Sequence, residues 1–257
     1  MDFLVDVITS GTVRGADAYC TPEEVAEILG TDFVVNRSRR SLTHAYSVAE
    51  FSWTRSTPQD PWLGWTFKVV PPEQLLFSSV HAAVSARGFS LQPVPNGWWQ
   101  PDAAVLIVVD DGRVRGVWAP HQPRPTKEFP SLNKQAVTHL RSATPAERES
   151  WLAKRRPTPE DSAEWWRTLL ATIRIREQEH HGPAWPWLPL YRWALTHADL
   201  PAHERALLLS AAAPAEAVSL CESALPPITT GTTPEAVRST RIRRALQAAL
   251  GLPASRR

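Results

Sequence analysis

The chain contains little cysteine and no long apolar run. Its 257 residues include two cysteines, Cys20 and Cys221, in opposite halves. Disulfide frameworks and zinc clusters need several cysteines at short spacings, so this pair predicts free thiols in a reducing compartment. No apolar run approaches the roughly 20 residues of a membrane-spanning helix. Residues 3–8 lack the basic start of a signal peptide. We therefore expect a cytoplasmic protein without a membrane partner.

Recognisable catalytic and phosphate-binding motifs are also missing. The chain has no G-x-S-x-G elbow, no G-x-x-x-x-G-K-[ST] loop and no G-x-G-x-x-G. A pair of adjacent carboxylates, Asp110 and Asp111, precedes Gly112, and a hairpin turn explains both acids without catalysis. We therefore expect a non-catalytic protein that uses no cofactor and no metal.

The histidines of the second half leave an alternative open. Glu177 and His181 have the i,i+4 spacing of a ligand pair on one helix face, and His180, His197 and His203 lie nearby in the sequence. Hydrolytic zinc sites use such ligands, so a metal-dependent hydrolase is the alternative. The simpler interpretation is a helix end at which histidine complements the helix dipole.

Proline and tryptophan are abundant, at 24 and 12 residues. Spread prolines predict short elements with rigid connections. The strongest structural signal lies in residues 105–118. An apolar β-branched run there is followed by Asp110-Asp111-Gly112 and then by a segment in which apolar and polar residues alternate. A D-G dipeptide flanked in this way predicts a β-hairpin.

Further strands and helices extend this hairpin into a sheet module. Residues 48–53 and 65–70 predict a second strand pair, and residues 33–35 another strand, whereas residues 90–99 are expected to be irregular. Helices are expected after Thr21-Pro22-Glu23-Glu24, a capping box with proline at its first position, and over residues 75–87.

The second half predicts helices only. Thr144, Thr158 and Thr233 each precede proline in a helix-start pattern, and further helices are expected over 161–181, 188–196, 202–210, 215–225 and 234–250. The fold class is therefore α+β: a mainly antiparallel N-terminal sheet with covering helices, followed by an all-α region. We expect domains at 1–122 and 131–257, joined by a proline-rich linker at 123–130.

Charge is divided unevenly between these halves. Residues 1–126 carry 10 Lys and Arg against 13 Asp and Glu, and residues 127–257 carry 18 against 13. The C-terminal arginines Arg238, Arg241 and Arg244 share a helix face, which could contact nucleic acid in a regulatory binder. A net charge of only +2 favours instead a basic face exposed to solvent.

Tryptophans next to proline or glycine are candidates for protein binding. Indole combines a large apolar area with a hydrogen-bond donor and is therefore favoured at interfaces. The candidate binding residues are Trp62, Trp65, Trp98, Trp99, Trp185 and Trp187.

The segment from Gly11 to Val70 resembles actinobacterial immunity-like proteins of polymorphic toxin systems. The resemblance rests on T-P-E-E-V-x-x-x-L-G at residues 21–30, on Tyr46, and on E-F-x-W at residues 50–53. Ala45-Tyr46-Ser47 stands where that group has D-Y-G, so no functional residue is carried over. The resemblance implies a protein partner: a cognate toxin that the chain would bind and neutralise.

Overall fold

The computed structural model describes residues 1–55, 57–71, 73–121, 129–179, 187–198, 200, 205, 216, 219 and 232–249. The chain divides into two compact units. The sheet unit comprises Met1–Pro123 and Pro226–Arg257, and the helical unit comprises Arg124–Leu225. This division differs from the sequence-based one because it groups the C-terminal segment with the sheet. The expected linker lies mostly outside the described residues.

The sheet unit contains one eight-stranded sheet in which every neighbouring pair is antiparallel. The spatial order is β1-β2-β3-β4-β8-β7-β6-β5. The α+β prediction is thus confirmed. The strands are β1 (Val34–Arg37), β2 (Ser41–Ala45), β3 (Glu50–Thr54), β4 (Leu63–Val69), β5 (Gln92–Val94), β6 (Gly97–Gln100), β7 (Val105–Asp110) and β8 (Arg113–Ala119).

The β7–β8 hairpin is closed by the turn that its sequence predicts. Asp110 pairs with Arg113, which leaves a two-residue loop of Asp111 and Gly112. Both loop residues have positive φ, 49° and 67°. That combination defines a type I′ turn, whose twist matches the two strands it joins. The local chemistry of the turn therefore fixes the register in the centre of the sheet.

The expectation of irregular structure over residues 90–99 is wrong. This segment forms β5 and β6, joined at Pro95 and Asn96. Pro93 is tolerated because β5 is the edge strand, where a missing N–H breaks no ladder on the open side. The strand β2 also has no counterpart in the sequence analysis.

Helices cover one face of this sheet. They are α1 (Asp2–Ser10), α2 (Pro22–Leu29) and α3 (Phe77–Ala86). The capping box predicted for α2 is present, since the Thr21 hydroxyl accepts from the Glu24 N–H and the Glu24 carboxylate accepts from the Thr21 N–H. Buried residues of all three helices share one core with the strands, in which Phe51, Trp53 and Phe67 are the largest side chains.

The helical unit contains α4 (Lys134–Ser142), α5 (Pro145–Arg155), a 3₁₀ turn (Pro159–Asp161), α6 (Ser162–Glu179) and α7 (Leu188–His197). Its core includes an aromatic cluster in which Trp165 contacts Trp151 and Trp166. The helices expected at 202–210 and 215–225 lie almost entirely outside the described residues. The last helix, α8 (Pro234–Ala249), belongs to the sheet unit. Within the described part of the chain, no helix has the length and apolarity needed to cross a membrane.

Candidate functional site

The face of the sheet opposite the helices carries a row of aromatic side chains. Phe67 and Val117 lie in the core between sheet and helices. Because side chains alternate between the two faces along a strand, their neighbours Lys68 and Trp118 lie on the outer face. The register makes Lys68 and Trp118 cross-strand partners. This pairing continues across five strands, and we call the set the outer row: Glu50, Lys68, Trp118, Leu106 and Trp99.

Contacts within the outer row hold its side chains in place. The Lys68 ammonium lies 5.9 Å from the centre of the Trp118 ring, within cation–π range. Leu106 falls between the two indoles in the register and is buried. The Trp99 indole N–H donates to the carbonyl of His121 at 3.0 Å. Trp118 nevertheless stays 44% exposed, so a large apolar side chain is fixed and still accessible.

A β-bulge exposes a second tryptophan on the neighbouring strand. Ser52 pairs with Thr66 and Trp53 pairs with Gly64, so Trp65 is the extra residue of β4. A bulge interrupts the ladder and redirects the inserted side chain. Trp65 is accordingly 65% exposed.

These features together define an aromatic patch. Trp65 precedes Lys68 by three residues, a separation of about 10 Å along a strand. Leu63, at the start of the same strand, is also exposed. We use "aromatic patch" for four side chains of the adjacent strands β4 and β8: Leu63, Trp65, Lys68 and Trp118.

Trp62, another of the candidate tryptophans, is held by arginines. The Arg55 guanidinium carbon lies 4.1 Å from the centre of its ring, and that of Arg37 lies 5.7 Å away. Arg55 is in turn fixed by hydrogen bonds to the carbonyls of Arg39 and Pro58. The ring is half-buried against the core, so this tryptophan anchors the loop before β4.

Trp98 and Trp99 point to opposite faces of the sheet. Trp98 stacks on Phe77 of α3, with ring centres 5.0 Å apart, and lies against the core. Trp99 belongs to the outer row. The alternation of strand β6, which the sequence analysis missed, explains why these adjacent residues have different environments.

The remaining two candidates belong to the helical unit. Trp187 is buried there, with the Arg141 guanidinium 5.3 Å from its ring centre. Trp185 lies outside the described residues. Of the six tryptophans named from the sequence, Trp65 is therefore the most exposed among those described. Trp118 was missed because a β-bulge at Arg115 interrupts the alternation of β8, so that Val114 and Val117 both face the core and Trp118 faces outward.

The basic C-terminal helix does not present a solvated face. Arg238 forms an ion pair with Asp102, and Arg244 forms one with Asp17 at 2.5 Å. The Nε of Arg241 donates to the backbone carbonyl of Asp102 at 3.0 Å. The expectation of a solvent-exposed basic face is therefore wrong, because both acids lie far away in sequence and meet α8 only in the folded sheet unit.

Of the four histidines considered for a metal site, the structure describes one, His197. His197 donates from Nδ1 to the Trp193 carbonyl at 2.9 Å, and its Nε2 lies 3.2 Å from the Glu149 carboxylate. His180, His181 and His203 lie outside the described residues. Among the residues that are described, no group of three or more His, Cys, Asp or Glu side chains could hold a metal ion.

The buried thiol of Cys20 is poorly suited to nucleophilic chemistry. Burial, with the adjacent Asp17 carboxylate, raises its pKa to about 12. The nucleophilic form of cysteine is the thiolate, which this environment suppresses at neutral pH.

Comparison with protein families, curated proteins and solved structures finds no match to this chain.

Proposed function

We propose that this chain is a non-catalytic binding protein of the immunity type, which neutralises a cognate toxin by covering part of its surface with the aromatic patch. The observation that carries the proposal is the pair of exposed indoles, Trp65 and Trp118, on adjacent strands of a sheet whose other face is the core. Protein partner, toxin and cytoplasmic location are parts of the same proposal.

The physical basis is the burial of rigid apolar area. Burying apolar surface contributes about 25 cal/mol per Å² before the costs of association are subtracted. Those costs fall when the contacting side chains are already ordered. Trp118 is held by Lys68 and by the strand pairing, and strands immobilise the backbone of Trp65 on both sides of the bulge. Preordered tryptophans are typical centres of binding energy at protein interfaces.

Charge at the edge of the patch selects the partner. The Lys68 ammonium lies beside the indole of Trp118, so an acidic side chain on the partner could pair with it as the apolar surfaces close. Complementary charges of this kind mainly affect the association rate and the choice of partner.

The experiment uses the full chain as bait in extracts of its native host, followed by purification of the captured protein. The partner is then expressed in a sensitive strain with and without this chain, and binding is measured by calorimetry. We expect a stoichiometric complex and rescue of growth. The Trp65→Ala/Trp118→Ala variant should bind at least about 30-fold more weakly, since hot-spot residues contribute 2 kcal/mol or more.

The matched control is Ile28→Ala, which removes an exposed apolar side chain from α2, away from the patch. It should bind and rescue like the wild-type chain. A captured partner that is not toxic would refute the immunity role. Equal affinity of wild-type and double-variant protein would refute the assignment to the aromatic patch.

A further inference from the structure

A cavity of about 210 Å³ lies within the sheet unit, beside α8. Its wall combines apolar and polar side chains from five separate segments. The apolar part includes Phe67, Pro120 and Val237, and the polar part includes Tyr19, Thr240 and Arg241. Pockets for drug-sized ligands measure about 300–1,000 Å³, so this cavity suits a smaller molecule with an apolar body and one polar end.

The charges around the cavity do not balance. Asp17 accepts from Arg244, and Asp102 accepts from Arg238. Each carboxylate thus has its own arginine. Arg241 is a third cation: its Nε donates to the Asp102 backbone carbonyl, and Tyr19 and the Asp102 carboxylate favour its charged form. Three arginines therefore face two carboxylates.

Both oxygens of Asp102 already accept hydrogen bonds. Its Oδ1 accepts from Arg238, its Oδ2 accepts from the Gln100 amide at 3.1 Å, and the Gln100 side-chain carbonyl accepts from the Ala103 N–H at 2.6 Å. Arg238 and Gln100 therefore hold this carboxylate from two sides, and among the described residues no hydrogen bond joins it to the terminal nitrogens of Arg241.

Desolvation opposes the charge of Arg241 and is the main cause that lowers its pKa from the ordinary value. A guanidinium presents two parallel N–H donors to a planar anion, and a carboxylate fits that fork with two hydrogen bonds. The Thr240 side chain lines the same cavity and supplies a hydroxyl.

We propose that this cavity binds a small monocarboxylate with an aromatic or branched apolar body. The carboxylate pairs with the terminal nitrogens of Arg241, and the body lies against Phe67, Pro120 and Val237. This inference stands independently of the proposed toxin binding, because the cavity and the aromatic patch use different residues.

Benzoate and benzamide provide the direct test, since they share a ring and differ in charge. Each is titrated into the full ¹⁵N-labelled chain and followed by NMR at the amides of Gly11, Ala103 and Val237. We expect saturable shifts with benzoate and at least about tenfold weaker binding of benzamide, because a charged hydrogen bond contributes 1.5 kcal/mol or more. Inorganic phosphate should bind more weakly than benzoate, since it cannot use the apolar wall.

Variants then assign the binding to Arg241. Arg241→Gln should weaken benzoate binding at least about tenfold. Arg241→Lys keeps the charge but loses the forked donor pair, so its affinity for benzoate should lie between those of the wild type and Arg241→Gln. Arg39→Gln removes an exposed arginine from the β1–β2 turn and should leave affinity unchanged. Thr240→Val is a milder second variant within the same wall, and should weaken benzoate more than benzamide.

Three outcomes would overturn the proposal. They are an absence of benzoate shifts at these amides, equal affinity for benzoate and benzamide, and phosphate binding as tight as that of benzoate. The comparison of ligands uses the wild-type chain, so it decides the question even if Arg241→Gln fails to fold.

Discussion

Gly64 lies at the closest approach between β4 and the segment before α2. A Cβ at this position would be 1.7 Å from the Ala18 carbonyl oxygen, so the backbone itself would have to move. We expect Gly64→Ala to lower the free energy of unfolding by about 2–3 kcal/mol, the upper range for overpacking a core. Urea denaturation followed by tryptophan fluorescence measures the change.

Gly116 on β8 is the matched control for that substitution. It is also a glycine within a strand of the sheet, but its Cβ would meet its nearest neighbours, Val69 O and the Trp118 indole nitrogen, at 3.4 Å. Gly116→Ala should therefore cost less than about 1 kcal/mol, within the range of tolerated core changes. Equal losses for both variants would show that the contact with Ala18 does not limit position 64.

The raised pKa of Cys20 gives a second prediction for a single residue. With a pKa of about 12, roughly one thiol in ten thousand is ionised at pH 8. In a Cys221→Ser background, the thiol reagent DTNB should label Cys20 very slowly in the native state and rapidly in urea. Rapid labelling of the folded chain at pH 8 would contradict the assigned environment.

The Cys20 thiol also makes the stability of the folded chain depend on pH, and the direction of this dependence follows from its raised pKa. Its folded pKa lies above the ordinary value of 9.0, so the folded state holds the proton more tightly. Its contribution to stability is therefore complete below pH 9 and is lost as the pH rises toward 12. A Cys20→Ala variant should lack this part of the alkaline loss of stability in urea denaturation measured across that range.

At the scale of elements, the most local signals were the most informative. The D-G turn predicts the β7–β8 hairpin because the φ requirements of two residues decide the turn type. The edge strand β5 and the inner strand β2 escaped the sequence analysis. Pro93 argues against a strand in general, yet the edge position of β5 removes its cost, and an edge position is a property of the completed sheet.

Two threonine–proline segments show how well this sequence pattern predicts a helix cap. Thr144 forms a complete capping box with Glu147, whereas Thr158, in the similar T-P-E sequence, makes no cap hydrogen bond. We expect Thr144→Ala to destabilise the chain by about 1 kcal/mol and Thr158→Ala to have a smaller effect. Thermal denaturation followed by circular dichroism compares the two variants. An equal decrease in Tm for both would show that the capping hydrogen bond of Thr144 is not the source of the stabilisation.

Hydrogen bonds from Thr144 also lower the pKa of Glu147. Because its carboxyl pKa is lowered in the folded state, Glu147 contributes to stability above the ordinary pKa of 4.5. This contribution is lost as the pH falls through the pKa of the folded state. The difference between wild type and Thr144→Ala should therefore shrink under acid conditions. A difference that stays constant down to acid pH would contradict this linkage.

At the scale of the whole molecule, the boundary between units was the least accessible feature. Change in composition near Pro120 separates sheet from helices correctly up to that point, but nothing local shows that α8 returns to the sheet unit. Its partners, Asp17 and Asp102, lie more than a hundred residues away. For the same reason the cavity beside Arg241 could not be predicted. The outward position of Trp118 depends on the β-bulge at Arg115, which strand alternation alone does not show.

Removal of the ion pairs of α8 tests directly whether this helix stabilises the sheet unit. Arg238→Gln/Arg244→Gln leaves Asp102 and Asp17, whose side chains are 5% and 8% exposed, without their cations. Breaking a buried pair costs about 3–5 kcal/mol, and since both arginines are partly exposed, we expect the lower end of that range. Arg115→Gln, which breaks the exposed pair with Asp110, should cost less than about 1 kcal/mol.

Hydrogen exchange by mass spectrometry then shows where the stability is lost. In the double variant, we expect faster exchange in β4, β8 and α1, because these elements share a core with Val237 of α8. Peptides from α5 and α6 should keep their wild-type rates, since they belong to the other unit. If the C-terminal helix instead stabilised the helical half, as a boundary at residue 131 implies, the faster exchange would occur in α5 and α6.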